Sequence, residues 1–133
     1  MSCKSAIYAV NTAATAVAEN GIIPLAETIR RFGCNLGRTG SAIVANGRGY
    51  YEAVVSVSAL VADAGDVTVS LLADGAVIPG ATATATAAAG GVVNLSFPAM
   101  IRLLCDCVNT SLTLQLSDSA ATIQNVAVLV EKV

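Results

Sequence analysis

Val67-Thr68-Val69-Ser70-Leu71-Leu72-Ala73-Asp74-Gly75-Ala76-Val77-Ile78 alternates apolar with hydroxylated residues, meets Asp-Gly, and resumes with a second apolar run. A period of two puts successive side chains on opposite faces of a strand. Asp-Gly tolerates the positive φ of a tight reversal. The stretch therefore predicts a β-hairpin, and the same grammar recurs on both sides of it. Leu112, Leu114 and Leu116 alternate with Thr113, Gln115 and Ser117, and further reversals stand at Asn20-Gly21, Asn46-Gly47 and Gly90-Gly91. Asn46-Gly47 fits either a hairpin or a corner between two sheets. The predicted strands are 5–10, 22–25, 35–45, 50–62, 66–73, 76–87, 92–104, 111–117 and 121–131. The Ala-Thr alternation from Ala81 to Ala87 reads as a thin outer strand, because a disordered tract carries more charge and proline. No capped helix-period segment stands out. The expectation is an all-β fold: residues 1–133 as a single-domain antiparallel β-sandwich, a jelly roll of eight to ten strands.

Composition then narrows the function classes. Hydrophobic residues make up 55 % of the 133 and charged residues 12 %, about half the ~25 % charge of ordinary globular domains. Yet every apolar run is interrupted well short of the ~20 residues of a spanning helix, so no membrane role is expected. Seven basic against nine acidic residues leave a net charge of −2. No basic stripe exists to follow phosphates, so no nucleic acid is expected as a partner. Arg30-Arg31, the only basic pair, is read as part of a solvated loop. The segment Met1 to Tyr8 lacks the apolar core of a secretion signal, which predicts synthesis and retention in a cytosol or release by another route.

The strands sort into two kinds. Those at 66–73 and 111–117 are apolar on one face and hydroxylated on the other. The last is two-sided: Val126, Val128 and Val130 share one parity, Ala127 and Leu129 the other. Strands 50–62 and 92–104 also carry apolar residues at both parities. In a sandwich, one face of a sheet meets its partner sheet and the other meets water. A sheet apolar on both faces needs a further partner, and another copy of the chain is the economical one.

Four segments carry a resemblance. Gly47-Arg48-Gly49-Tyr50-Tyr51-Glu52-Ala53-Val54 is similar to the glycine-plus-paired-aromatic strand of tumour-necrosis-factor-like, complement globular-head-like jelly rolls. Ala73 to Gly80 and Val126 to Val133 resemble the corresponding hairpin and last strand in the heads of collagen-like exosporium glycoproteins, and Ala6 to Asn11 resembles their first strand. The resemblance implies a ten-strand jelly roll forming a tight homotrimer through the sheet that holds the first, last and central strands. On this chain it implies an interface of Tyr8, Tyr50, Tyr51, Phe97, Val126, Val128 and Leu129, with one of Tyr50 and Tyr51 turned into the core. Those heads end a Gly-X-Y stalk, and this sequence shows none. Stalkless heads of similar kind are associated with phage virions.

Catalytic chemistry has few residues to work with. The chain has no histidine, which removes imidazole-based triads and metal sites together. Asp63 and Asp66 share a loop and are weighed as a calcium site, but loop acids beside glycine ordinarily form turns. Gly33, Gly37 and Gly40 do not sit between a strand and a helix as a phosphate loop requires. No enzyme and no cofactor is expected. Cys3, Cys34, Cys105 and Cys107 leave three readings open: disulfides, separate buried thiols, or a thiolate site drawing on Cys34, Cys105 and Cys107.

The expected function is a non-enzymatic homotrimeric module on a particle surface, a phage virion decoration or fibre-head protein, with self and capsid, tail or coat proteins as partners. A spore-surface structural protein and a trimeric glycan- or receptor-binding module are the alternatives. Two phenylalanines, three tyrosines and no tryptophan give the binding module few aromatic anchors.

Overall fold

The computed structural model describes residues 4–105 and 109–133. Eleven strands follow one another, one more than the upper bound read from the sequence: β1 (Ala6–Asn11), β2 (Thr15–Val17), β3 (Glu27–Phe32), β4 (Leu36–Thr39), β5 (Ala42–Asn46), β6 (Gly49–Leu60), β7 (Gly65–Ala73), β8 (Ala76–Ala87), β9 (Val92–Leu103), β10 (Asn109–Ser117) and β11 (Ala121–Lys132). They form two antiparallel sheets. The first has the order β3-β1-β11-β6-β9, with β2 paired to β11, and the second the order β4-β5-β10-β7-β8. No helix is long and apolar enough to cross a membrane among the described residues.

The turn chemistry lies where the dipeptides put it. Asp74 and Gly75 both take positive φ, 51° and 87°, and close the β7–β8 hairpin. Asn46-Gly47 proves to be a corner, since β5 belongs to the second sheet and β6 to the first. Three expectations are corrected. Residues 35–45 are two strands rather than one: Gly40, at φ 59°, reverses the chain between β4 and β5, so that Thr39 pairs with Ala42. Residues 22–25 form only an isolated bridge, Ile22 to Gln115. Arg30-Arg31 is not a loop but part of β3, an edge strand whose six residues are all exposed. Charged side chains on a sheet edge discourage further strands from adding to it.

The core lies between the sheets. From the first sheet it takes Ile7, Tyr51, Val55, Val57, Phe97, Val126, Val128 and Val130; from the second, Ile43, Val67, Val69, Leu71, Leu112, Leu114 and Leu116. Tyr51 is fully buried, and its hydroxyl lies 2.8 Å from the carbonyls of both Asn46 and Gly47, between which its one proton is shared. Beside it a buried polar hub closes one end of the sandwich. Ser5 and Asn35 are buried; the Asn35 N–H donates to Ser5 Oγ at 3.0 Å, and its Nδ2 donates to the Asn46 carbonyl at 2.6 Å. Its Oδ1 accepts from Ser5 Oγ and from Lys132 Nζ, each at 3.3 Å. Side chains or backbone from four segments thus meet at one asparagine, and no buried side-chain polar atom is unsatisfied among the described residues. Gly33, at φ 89°, lets the backbone pass the hub, because a Cβ there would collide with the Lys4 carbonyl and the Ser5 hydroxyl.

Candidate functional site

The outer face of the first sheet is assembled from cross-strand register. Residues paired directly opposite in an antiparallel ladder project to the same side. Tyr8 pairs with Leu129, Leu129 with Val54 and Val54 with Pro98, while Tyr8 pairs on its other side with Arg30. One row therefore crosses five strands as Arg30, Tyr8, Leu129, Val54 and Pro98. Tyr8 is 38 % exposed and Val54 45 %. The neighbouring row reads Phe32, Ala6, Glu131, Glu52 and Met100, with Phe32 60 % and Met100 57 % exposed. Large apolar side chains thus occupy the centre and both flanks of a face that nothing among the described residues covers.

The expected interface residues divide on this geometry. Tyr8, Tyr50 and Leu129 project outward on this face. Tyr51, Phe97, Val126 and Val128 do not: all four are buried in the core of one chain, which corrects their assignment to an inter-subunit surface. The pleat decides it, since residues of opposite parity cannot share a face. Tyr50 and Tyr51 do split into one outer and one core residue.

Alongside this row, Arg102 stands over the Tyr50 ring, its guanidinium carbon 5.5 Å from the ring centroid. A cleft of about 280 Å³ opens there between Arg48, Gly49, Tyr50, Arg102, Leu103 and Leu104. A second, of about 320 Å³, lies at the β9 edge between Glu52, Pro79, Gly80, Pro98, Ala99 and Met100.

The outer face of the second sheet differs in kind. Thr86 Oγ1 donates to Asp66 Oδ1 at 2.6 Å, and Ser70 and Thr82 share a hydrogen bond at 3.1 Å. Thr68 lies 2.8 Å from the Thr84 hydroxyl and 2.5 Å from Asp118 Oδ2. A hydroxyl has one proton, so Thr68 donates to the carboxylate and accepts from Thr84. Thr68 and Ser70 are themselves buried on this outer side. The one-sided polarity read for this strand holds, but its hydroxyl face is shielded by its neighbours rather than open to water.

Metal chemistry finds little support. Cys34 and Cys105 are disulfide-bonded, and a disulfide sulfur has no thiolate to offer a metal; Cys3 and Cys107 lie outside the described residues. Asp66 is occupied by Thr86, and its carbonyl accepts from Ser119 at 2.7 Å. No three His, Cys, Asp or Glu side chains converge on one point among the described residues.

No family model and no curated protein matches the chain. Solved structures do. Murine APRIL is similar at a TM-score of 0.76 and 11 % identity, over 98 % of this chain and 99 % of that one. Eiger TNF from S. frugiperda is similar at 0.69 and 13 %, over 100 % and 94 %. The PRD1 vertex protein P5 is similar at 0.64 and 14 %, over 97 % and 96 %. The fold is a tumour-necrosis-factor-like jelly roll.

Proposed function

We propose that this chain is a non-enzymatic structural module that assembles as a homotrimer through the outer face of its first sheet and sits on the surface of a particle, a phage virion in the first instance. One observation carries the reading: the uncovered row of Tyr8, Leu129, Val54 and Pro98 across a sheet whose opposite face already forms the core. Burying such a row stabilises an assembly by about 25 cal/mol per Å² of apolar surface removed from water. A second copy supplies a matching apolar face without any further component. The virion location is supported more weakly, by likeness of fold to a vertex protein.

Light scattering on a size-exclusion peak tests the assembly. The expected mass is about 40 kDa, three times the 13.3 kDa chain. A monomer persisting at micromolar concentration overturns the reading. Mass spectrometry of density-purified particles from the source tests the location, with copy numbers in multiples of three expected.

A second reading, a trimeric receptor- or glycan-binding module, is favoured by the cleft between Arg48, Tyr50 and Arg102. Its arginine–aromatic stack suits an anionic or ring-faced ligand. Retention of labelled particles on glycan-coated surfaces, lost in Arg102→Ala, supports this reading over the first.

A further inference from the structure

The outer face of the first sheet is polar at specific points, and the placement of its charges is lopsided. Glu52 and Glu131 stand directly opposite each other on β6 and β11. Like charges in that position repel, and neither carboxylate forms an ion pair among the described residues. Arg30 projects on the same face from β3, at the far edge of the sheet. Among the described residues its side chain makes one hydrogen bond, from Nη1 to the neighbouring Ile29 carbonyl at 2.9 Å. β3 and β6 are three strand intervals apart, about 14 Å at ~4.8 Å per interval. An arginine side chain does not span that distance and the offset of one row as well, so Arg30 cannot pair with Glu52 within one copy.

The apolar residues are divided in the same way. Phe32 and Tyr8 stand out beside Arg30 on the β3–β1 side. On the β6–β9 side, Glu52 borders the groove of about 320 Å³ walled by Pro79, Pro98 and Met100. One flank offers Arg30 beside protruding aromatic rings; the other offers Glu52 beside an apolar groove, with Arg102 of the same face stacked over Tyr50. In a closed ring of identical subunits, contacts are heterologous, so one patch of each copy meets a different patch of the next. These two patches are complementary in both charge and shape.

Resting on the homotrimer reading above, we infer that Arg30 of each copy pairs with Glu52 of the next, with Phe32 seated in the groove beside it. The pair neutralises one of two facing carboxylates that association would otherwise bury unpaired, which costs several kcal/mol. It also sets the direction of the ring, since an inverted neighbour brings Arg30 against Arg30.

Sedimentation velocity across a concentration series is the test, on the wild-type chain, Arg30→Glu, Glu52→Arg and the double exchange. Both side chains are exposed in the protomer, and a far-ultraviolet circular dichroism spectrum checks that each variant folds. Each single reversal is expected to raise the dissociation constant at least thirtyfold, and the double exchange to return it to within about fivefold of wild type. Equal assembly of all four proteins, or a double exchange no better than the singles, overturns the pairing while leaving the trimer in place. A wild-type chain that sediments as a monomer removes the trimer itself. Should a reversal misfold, the cycle of Arg30→Ala, Glu52→Ala and their double reads the same coupling, and additivity overturns it.

Discussion

The two outer faces of this sandwich are built from similar strands and finished in opposite ways. On the second sheet, the hydroxyls of β7 and β8 meet another hydroxyl or a carboxylate of the same face: Ser70 with Thr82, Thr84 with Thr68, Thr68 with Asp118, Thr86 with Asp66. On the first sheet, Tyr8, Leu129, Val54 and Pro98 lie side by side with none of the described residues over them, and Glu52 faces Glu131. A surface that satisfies its own polar groups laterally is complete as a monomer. A surface with apolar groups exposed and like charges opposed is completed only by something else. Low overall charge therefore has two different meanings within one chain.

The sharpest way to break that comparison is to charge the two sides of β11 separately. Val128 is buried against Val55 and the core, so Val128→Asp places a carboxylate where no partner reaches it. The expected loss is about 4 kcal/mol or more, measured by chemical denaturation, and enough to unfold a marginal domain. Leu129→Asp lies one residue along on the outer face. It is expected to keep the circular dichroism spectrum of the wild type while the mass falls from about 40 kDa toward 13.3 kDa. Thr113→Asp, on the other sheet, is expected to leave the mass unchanged. If Leu129→Asp and Thr113→Asp behave alike, the two faces do not differ in the way described.

The smallest expected effect sharpens the other half of the contrast. Thr68→Ala removes both the donor to Asp118 and the acceptor for Thr84. A net loss of about 1 kcal/mol in denaturant midpoint analysis is expected, with the assembly mass unchanged. A drop in mass would mean that the hydroxyl face also makes contacts between copies.

Strong alternation and turn chemistry made much of this architecture legible. The 66–73 and 76–87 hairpin, the first strand and the last strand are all within a residue or so of their observed bounds. β3 escaped because its sequence, Glu-Thr-Ile-Arg-Arg-Phe, has no alternation: all six residues are exposed, so no face had to be apolar. β4 and β5 read as a single strand although Gly40-Ser41 between them is a dipeptide suited to tight hairpins. For the candidate site, both parities of β11 read as apolar and the expected interface draws on both, Val126 and Val128 beside Leu129, whereas only Leu129 of these projects outward. Burial alone cannot choose between Val126-Val128-Val130 and Ala127-Leu129 from sequence. The deciding signal stands nearby: Glu131 shares the parity of Leu129, and Glu52 that of Val54. A carboxylate two residues along marks the face that does not enter the core.

The placement of β11 between β1 and β6 has a consequence for how the protein is made. As the chain emerges from a ribosome, β1 and β6 are present long before residues 121–132, and each offers an unpaired row of backbone donors and acceptors at the middle of the unfinished sheet. Those open edges can recruit strands from neighbouring nascent chains. Closing the gap joins segments more than a hundred residues apart in sequence, and contacts of that separation form slowly, on the order of milliseconds to seconds in β-sandwiches. The interval before the final strand arrives is therefore the stage at which nascent copies are most open to pairing with one another.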